Sequence, residues 1–330
     1  MPERSITYSV ALNEALREEM RRDENVFVMG EEVAVWGEGG GVFGVTKDLA
    51  GEFGEGRVRN TAISEEGIVA IGVCAAVTGM RPVVELMYGD FLPLAMEPLV
   101  NQAAKLRYMF GGQARVPLVL RTNMGAAGGK AAQHSQSLES WIMHVPGIKL
   151  ALPSTPYDAK GLLKTAIRDN NPVVFLEHKL LYFTKGPVPE EEYTIPFGQA
   201  VVRRSGRDIT VVAMQAMLFR CLKVADKLSQ EGIELEVIDP RTLVPLDEET
   251  IIASVKRTNR LLICHEAAER GGWAGEIGML VVEKAFDHLD APIVRVCGKN
   301  VPIPYSATLE DAVIPSEEEL TAAARQLLKW

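Results

Sequence analysis

The sequence contains few cysteines, no long apolar run and no excess of basic residues. The four cysteines lie far apart, without a CxxC pair or the spacing of a metal site. They are Cys74, Cys221, Cys264 and Cys297. Each lies in an apolar run, where a free cysteine packs as a small hydrophobic residue, so we expect reduced thiols and a cytoplasmic location. No stretch reaches the ~18 apolar residues of a membrane span and no signal-peptide core is present, so we expect neither membrane insertion nor export.

Acidic residues outnumber basic ones by 44 to 35, which gives a formal net charge of −9. A broad nucleic-acid or anionic-membrane surface needs a dense Lys and Arg footprint, so we expect neither partner. The apolar fraction of 47% and the charged fraction of 24% are typical of a globular protein. A length of 330 residues predicts about two domains.

From about residue 26 to residue 180, short β-branched runs alternate with helical patterns. Several runs lack polar alternation, which is typical of parallel strands covered on both faces. A stretch with three prolines, three glycines and an acidic run follows at 184–206, and a second α/β alternation comes after it. We predict an α/β fold with a mainly parallel first sheet and a smaller second α/β domain. The predicted limits are 1–190, a linker at 191–206, and 207–330.

Individual elements are also predicted. The strands of the first domain are VFVMG, RPVVELMY, VPLVLRT, IKLALP and NPVVFLEH, and those of the second are DITVVAM, IELEVID, LLICHEA and PIVRVCG. Helical patterns lie near 7–22, 65–79, 92–110 and 156–169. Residues 66–77 are apolar on every face, which predicts a helix buried against its neighbours. Ser316 and Glu319 form a capping-box pattern at the start of the last helix.

Several familiar motifs are incomplete or absent. GGGVFG at 39–44 satisfies GxGxxG, but the preceding strand ends at Gly30 and the following helix is short, whereas a dinucleotide site needs both directly adjacent. A nicotinamide-dependent oxidoreductase therefore stays only an alternative. GAAGGKA at 125–131 lacks the first glycine and the hydroxyl of a phosphate-binding loop, and neither GxSxG nor HExxH occurs.

Two constellations could carry chemistry. In the first, Glu65 and Glu66 follow Ser64 at a junction between a strand and a helix. Helix capping by Ser64 and a favourable helix dipole explain these residues structurally. A ligand site at the carboxyl edge of the sheet explains them functionally. In the second, His134 follows a Gly-rich loop, where it is either an acid or base near neutral pH or an ordinary polar residue. The other four histidines have no metal spacing and are interpreted as structural or surface residues.

Several longer motifs are similar to those of a known protein family. They run in order along nearly the whole chain: TAISEEG, GMRPVVELMYGDF, NQAAKLRYMFGGQ, AAQHSQSLESW, PGIKLALPSTPYDAKGLL, AIRDNNPVVFLEHKLLY, DPRTLVPLDEETI and LEDAVIPS. In these motifs the chain resembles the β subunit of the thiamine-diphosphate-dependent component of 2-oxo acid dehydrogenase complexes, a transketolase-like family. The resemblance implies an oxidoreductase subunit of a multienzyme complex.

The resemblance implies roles for individual residues. Glu65 matches the family glutamate that hydrogen-bonds the aminopyrimidine ring of thiamine diphosphate and supports proton transfer within that cofactor. Phe91 matches an aromatic residue that packs on the pyrimidine, with Met87 and Ile63 lining the same pocket. His134 matches the histidine associated with substrate and with acyl transfer to a lipoyl arm.

Metal sites are implied less directly. Leu118, Ala166, Asp169 and Asn171 match positions that hold a structural monovalent cation such as K⁺, mostly through backbone carbonyl groups. The family's Mg²⁺ and diphosphate motif, Gly-Asp-Gly with paired Asn about 25 to 30 residues later, is missing, although Mg²⁺ needs such oxygen ligands. We therefore expect an α subunit to hold Mg²⁺ and the diphosphate, with the cofactor shared in an α₂β₂ heterotetramer.

The substrate is left open between acetoin and pyruvate, because YMFGGQARVP, KGPVPEEEYTIPFG and DHLDAPI are similar to both subfamilies and closest to acetoin dehydrogenases. The reaction would cleave a carbon–carbon bond next to a carbonyl and pass the acyl unit to a lipoyl group of a core acyltransferase. A branched-chain 2-oxo acid dehydrogenase β subunit is a further alternative. A non-catalytic assembly subunit is an alternative of another class.

Overall fold

The computed structural model of the chain describes residues 4–34 and 40–330. Two compact units are distinguished. The first comprises Met1–Met124 and Trp141–Phe197, and the second comprises Gly125–Ser140 and Gly198–Trp330.

Two segments are placed differently from the predicted domain limits. Residues 125–140 fall within the predicted first domain but pack with the second unit. Within the predicted linker, Val201–Arg204 forms a strand that pairs in the second sheet. Neither segment carries a hydrophobic period strong enough to reveal its partners in the sequence.

The first unit is built on a parallel sheet. Its strands are β1 (Ser5–Thr7), β2 (Val26–Gly30), β3 (Val58–Asn60), β4 (Arg81–Glu85), β5 (Val119–Met124), β6 (Lys149–Ala151), β7 (Val173–His178) and β8 (Lys185–Pro187). Strands β2 to β7 are parallel in the order β6-β7-β5-β4-β2-β3, and β1 pairs antiparallel with β8. All residues of β2, β5 and β7 are buried, in agreement with their missing polar alternation.

Helices connect these strands. They are α1 (Tyr8–Arg22), α2 (Leu49–Phe53), α3 (Glu65–Val77), α4 (Ala104–Met109), α5 (Glu139–Met143), whose first two residues belong to the second unit, and α6 (Pro156–Arg168). The predicted helix near 92–110 is instead a 3₁₀ segment at Gly89–Ala95, a π-helical segment at Glu97–Ala103 and then α4. Pro93 and Pro98 account for the change, because proline removes a helical N–H donor and crowds the preceding turn.

Helices α1 and α6 pack together through buried lysines. Lys160 is 1% exposed, and its Nζ lies 3.1 Å from Glu14 Oε2 and 2.6 Å from Glu18 Oε1. Lys164 Nζ lies 2.6 Å from Glu18 Oε2. Each buried ammonium group therefore has a carboxylate partner, as burial of a charge requires.

The second unit repeats the α/β pattern. Its strands are β9 (Val201–Arg204), β10 (Ile209–Ala213), β11 (Leu235–Asp239), β12 (Thr242–Val244), β13 (Leu261–Ala268) and β14 (Val294–Gly298). The sheet order is β14-β13-β10-β11-β9, parallel except for β9. Its helices are α7 (Gln215–Ser229), α8 (Glu248–Thr258), α9 (Trp273–Ala285), α10 (Ala307–Asp311) and α11 (Glu317–Leu327), with a 3₁₀ turn at Phe286–His288.

These elements confirm the predicted α/β fold and its mainly parallel first sheet. The capping box at Ser316 and Glu319 is also confirmed, since each side chain accepts a hydrogen bond from the other's backbone N–H. Among the described residues, no helix has the length and apolarity needed to cross a bilayer.

The prediction that α3 is buried on every face is wrong for one face. Ile71 is 58% exposed, Val77 is 46% exposed and Cys74 is exposed. The opposite face, with Ile68, Val69, Gly72, Val73 and Ala76, is buried. An all-round apolar helix normally has neighbours on every side, so α3 presents an apolar surface that residues 4–34 and 40–330 leave exposed.

Candidate active site

The carboxyl ends of the parallel strands in the first unit bring together residues from distant parts of the sequence. Glu31 follows β2, Ile63 and Glu65 follow β3, and Met87 and Phe91 follow β4. Because these strands are parallel and adjacent in the order β4-β2-β3, their following residues share one edge of the sheet. This edge is where open α/β sheets bind ligands.

Glu65 is the first residue of α3 and is 8% exposed. Its carboxylate has no hydrogen-bond donor among the described residues. The expected cap is also missing, because the Ser64 side chain makes no capping hydrogen bond to α3. Ile63 lies just before it and is 82% exposed. A largely buried carboxylate without a donor therefore stands beside an exposed apolar side chain, which suits a ligand that offers both a donor and an apolar ring.

Glu31 is a candidate site residue that the sequence analysis missed. It is 8% exposed, and its Oε1 atom is buried without a hydrogen-bond partner among the described residues. Burial, then the nearby carboxylates of Glu65 and Glu32, raise the pKa of Glu31 above its usual range. The sequence could have indicated Glu31, because it directly follows the buried strand β2, just as Glu65 follows β3.

Phe91 lies in the 3₁₀ segment after β4 and is half-buried, as is Met87. Phe91 packs edge-on against Tyr88, with ring centroids 6.2 Å apart. Asn123 Nδ2 donates a 2.6 Å hydrogen bond to the Met87 carbonyl oxygen. A Cβ atom at Gly89 would lie 2.8 Å from the Asn123 carbonyl oxygen, so only glycine permits this close approach. The turn that carries Met87 and Phe91 is thus fixed against β5.

An ion network joins the neighbouring strands, with Arg121 and Glu177 buried and Glu85 half-buried. Arg121 Nε and Nη2 donate to the two carboxylate oxygens of Glu177 at 2.7 and 2.8 Å, and Nη1 donates to Glu85 at 2.6 Å. The Tyr182 hydroxyl donates to Glu177 at 2.6 Å, and its ring stacks on Phe43 at 4.2 Å. Burial, opposed by Arg121 and the Tyr182 hydrogen bond, raises the pKa of Glu177 to about 6. The network fixes the ends of β4, β5 and β7 relative to one another.

His134 belongs to the second unit and is half-buried in the loop before α5. Its backbone N–H donates to the Ala131 carbonyl oxygen at 3.4 Å. Ala131 has a φ of 60°, a left-handed conformation that is uncommon outside glycine. The neighbouring Ser135 hydroxyl is buried without a hydrogen-bond partner among the described residues.

The predicted cation residues Leu118, Ala166, Asp169 and Asn171 gather around the end of α6. Asn171 N–H and Nδ2 donate to Asp169 Oδ1, at 2.9 and 2.8 Å. Ala166 and Leu118 carbonyl oxygens accept from Asp169 and Val173 N–H. The Asp169 carboxylate also pairs with the Lys149 ammonium group, and Arg81 donates to the Asp169 carbonyl oxygen at 3.0 Å. The positively charged side chains of Lys149 and Arg81 thus already contact Asp169. The binding of a monovalent cation at this cluster stays a prediction.

The nicotinamide alternative gains no support. Gly39 lies outside the described residues, and the helix after Gly44 is α2, only five residues long. A dinucleotide site uses the N-terminus of a long helix directly after its glycines. Among residues 4–34 and 40–330, no group of three or more His, Cys, Asp or Glu side chains could hold a metal ion.

The fold and this sheet edge define a two-domain protein of the transketolase class. Residues 4–185 match the family "Transketolase, pyrimidine binding domain", and residues 198–320 match "Transketolase, C-terminal domain". A split-gene transketolase described as an inactive β4 tetramer has a similar fold, with a TM-score of 0.80 over 98% of both chains at 19% identity.

Curated relatives are similar over almost the whole chain. The β subunit of acetoin:2,6-dichlorophenolindophenol oxidoreductase from Bacillus subtilis is 48% identical over 98% of both chains, and that from Cupriavidus necator is 47% identical over 99% of this chain and 98% of its own. The pyruvate dehydrogenase E1 β subunit from Rickettsia felis is 47% identical over 98% of both chains. The chain belongs to this family of acetoin and pyruvate dehydrogenase β subunits.

Proposed function

We propose that this chain is the β subunit of a thiamine-diphosphate-dependent acetoin or pyruvate dehydrogenase. The observation that carries the proposal is the carboxylate of Glu65, a residue that is 8% exposed and whose carboxylate has no donor among the described residues. Ile63 beside it, and Met87 and Phe91 at the same sheet edge, supply the apolar surface for an aminopyrimidine ring. These residues fit the pyrimidine half of the cofactor.

When bound, thiamine diphosphate supplies the carbon nucleophile that cleaves the bond next to the substrate carbonyl. In this proposal the Glu65 carboxylate accepts a hydrogen bond from the pyrimidine ring and holds a proton at that ring. Ile63 and Phe91 orient the ring and exclude water. Burial raises the pKa of Glu31, and the negative charge of nearby Glu65 adds to this effect, since two close carboxylates resist simultaneous ionisation.

His134 is proposed to act in the transfer of the acyl group to a lipoyl arm. Conversion of the substrate fragment to an acyl group releases two electrons, which reduce the lipoyl disulfide. One sulfur then carries the acyl group and the other needs a proton. An imidazole group can deliver that proton as a general acid.

We further propose that an α subunit completes the site in an α₂β₂ assembly and holds Mg²⁺ with the diphosphate. The exposed apolar face of α3 supports a protein partner, because contiguous exposed apolar surface marks interaction sites. A lipoyl-bearing core acyltransferase and a cytoplasmic location belong to the same proposal, as does K⁺ at Asp169. Acetoin and pyruvate both stay candidate substrates, with acetoin first, and the ratio of kcat/KM values for the two substrates distinguishes them.

The purified chain alone is expected to bind thiamine diphosphate poorly and to have no activity, because it supplies the pyrimidine surface without the diphosphate ligands. Calorimetric titration in Mg²⁺ is the measurement, with the α/β assembly as the positive control. Each lost charge-assisted hydrogen bond costs about 1.5–3 kcal/mol, so affinity should fall at least about a hundredfold. Tight Mg²⁺-dependent binding to this chain by itself would contradict the shared site.

The variant His134→Ala is expected to slow lipoyl acylation by about 10²–10⁴-fold while leaving cofactor affinity unchanged. Reduction of an artificial dye, which accepts the two electrons without a lipoyl arm, should be much less affected. His144→Ala, at a histidine with no proposed role, is the matched control. Equal loss of cofactor binding and acylation in His134→Ala would argue against this role.

A further inference from the structure

The loop that carries His134 makes few backbone hydrogen bonds within itself: Gly125 N–H donates to the Gln136 carbonyl oxygen at 3.1 Å, and His134 N–H donates to the Ala131 carbonyl oxygen at 3.4 Å. Residues 125–138 form neither helix nor strand. Left-handed φ values occur at Gly125, Gly128, Gly129 and Ala131. The glycines are flexible in an unfolded chain and lose much conformational entropy when ordered. The conformation of this loop therefore depends on contacts from outside it.

Glu310 supplies the central contact. Gly128 N–H donates to Glu310 Oε1 at 2.7 Å, and Gly129 N–H donates to Glu310 Oε2 at 3.0 Å. Glu310 lies on α10 and is 4% exposed. A carboxylate that accepts from two consecutive backbone amides makes strong charge-assisted hydrogen bonds with fixed geometry. The glycine turn before His134 is thereby held in one orientation.

Two further contacts hold the ends of the loop. Ala126 N–H donates to Glu266 Oε1 at 2.6 Å. His265 Nε2 lies 2.5 Å from Glu139 Oε1, and both of these side chains are 2% exposed. His265 and Glu266 are consecutive residues of β13. The loop is thus bound to other residues of the second unit at its start, its middle and its end.

We propose that Glu310 is a positioning residue for acyl transfer. By holding the Gly128–Gly129 amides, it fixes the turn from which His134 reaches the lipoyl group, while Glu266 and the His265–Glu139 pair secure the ends. This inference rests on the proposed role of His134. It assigns Glu310 no contact with cofactor or substrate, so its removal affects the transfer step and spares the steps before it.

The test uses the assembled α/β enzyme with Glu310→Gln, which keeps the side-chain shape but presents an NH₂ group to one of the two backbone donors. Amide hydrogen exchange in peptides covering 125–137 should become at least about tenfold faster. Lipoyl acylation should slow about ten- to a hundredfold, as expected for a misplaced catalytic group. The reduction rate of 2,6-dichlorophenolindophenol should stay within about twofold. Glu310→Asp keeps the carboxylate and should fall between the wild type and Glu310→Gln in both affected readouts.

Asp311→Asn is the matched control, because it removes one charge from the exposed neighbour on the same helix, and it should change neither readout. Unchanged exchange in Glu310→Gln would overturn the anchoring role. Faster exchange with normal acylation, or an equal loss of dye reduction and acylation, would overturn the positioning role. Normal lipoyl acylation in His134→Ala would instead contradict the proposed role of His134, and this result is obtained independently of the Glu310 variants.

Discussion

Turnover of the assembled enzyme is expected to fall by about 10³-fold or more in Glu65→Gln, because a general acid–base group contributes about 10²–10⁴-fold and an amide cannot exchange its proton in this way. Glutamine has nearly the same shape, so α3 and the surrounding packing should be retained. The loss should appear in both dye reduction and lipoyl acylation, since the proposed step of Glu65 comes before the two reactions diverge. Steady-state kinetics with saturating cofactor measure it.

Glu66→Gln is the control for this variant. Glu66 is the next residue in the first turn of α3 and is exposed. Like Glu65, it lies at the positive end of the helix dipole, but unlike Glu65 it is not buried. The turnover of Glu66→Gln should therefore stay within about twofold of wild type. Normal turnover in Glu65→Gln would favour the alternative of a non-catalytic assembly subunit.

Arg121→Met is expected to destabilise the first unit by about 3–5 kcal/mol, because it leaves the fully buried carboxylate of Glu177 and the half-buried carboxylate of Glu85 without their cation. Domains are stable by only about 5–15 kcal/mol, so the variant should unfold at much lower urea concentration or accumulate as insoluble protein. Urea unfolding followed by circular dichroism measures the change. The triple variant Arg121→Met, Glu85→Gln, Glu177→Gln should recover part of the loss, since no buried charge is then unpaired.

Arg21→Met provides the comparison for a surface pair. Arg21 Nε lies 2.6 Å from Glu52 Oε1, and its side chain is 59% exposed. Exposed ion pairs contribute about 0–1 kcal/mol. If Arg121→Met cost no more than Arg21→Met, the network would not be what fixes the ends of β4, β5 and β7.

Local patterns predicted the elements well, because burial on both faces leaves apolar runs and helix starts leave polar caps. The β2 and β7 runs and the Ser316 cap are examples. The same argument placed Glu65 at a sheet edge. The edge position of Glu31 could have been found in this way too, because it also follows a buried strand.

Contacts between distant residues could not be predicted. Arg121 stands in an apolar strand and so signals a buried ion pair, but its partners at Glu85 and Glu177 depend on the strand order β7-β5-β4. His265 was interpreted as a structural or surface residue, and the structure gives it a buried partner, Glu139, 126 positions away. Neither pairing has a local period from which to infer it.

The exposed apolar face of α3 also bears on how the chain behaves in a cell. If Ile71, Cys74 and Val77 are covered only on assembly, then the measured stability of this subunit depends on the concentration of its partner as well as on its own packing. Chain made in excess would expose this surface and aggregate or be degraded. The exposed face of this one helix would then require the cell to synthesise the two subunits in balanced amounts.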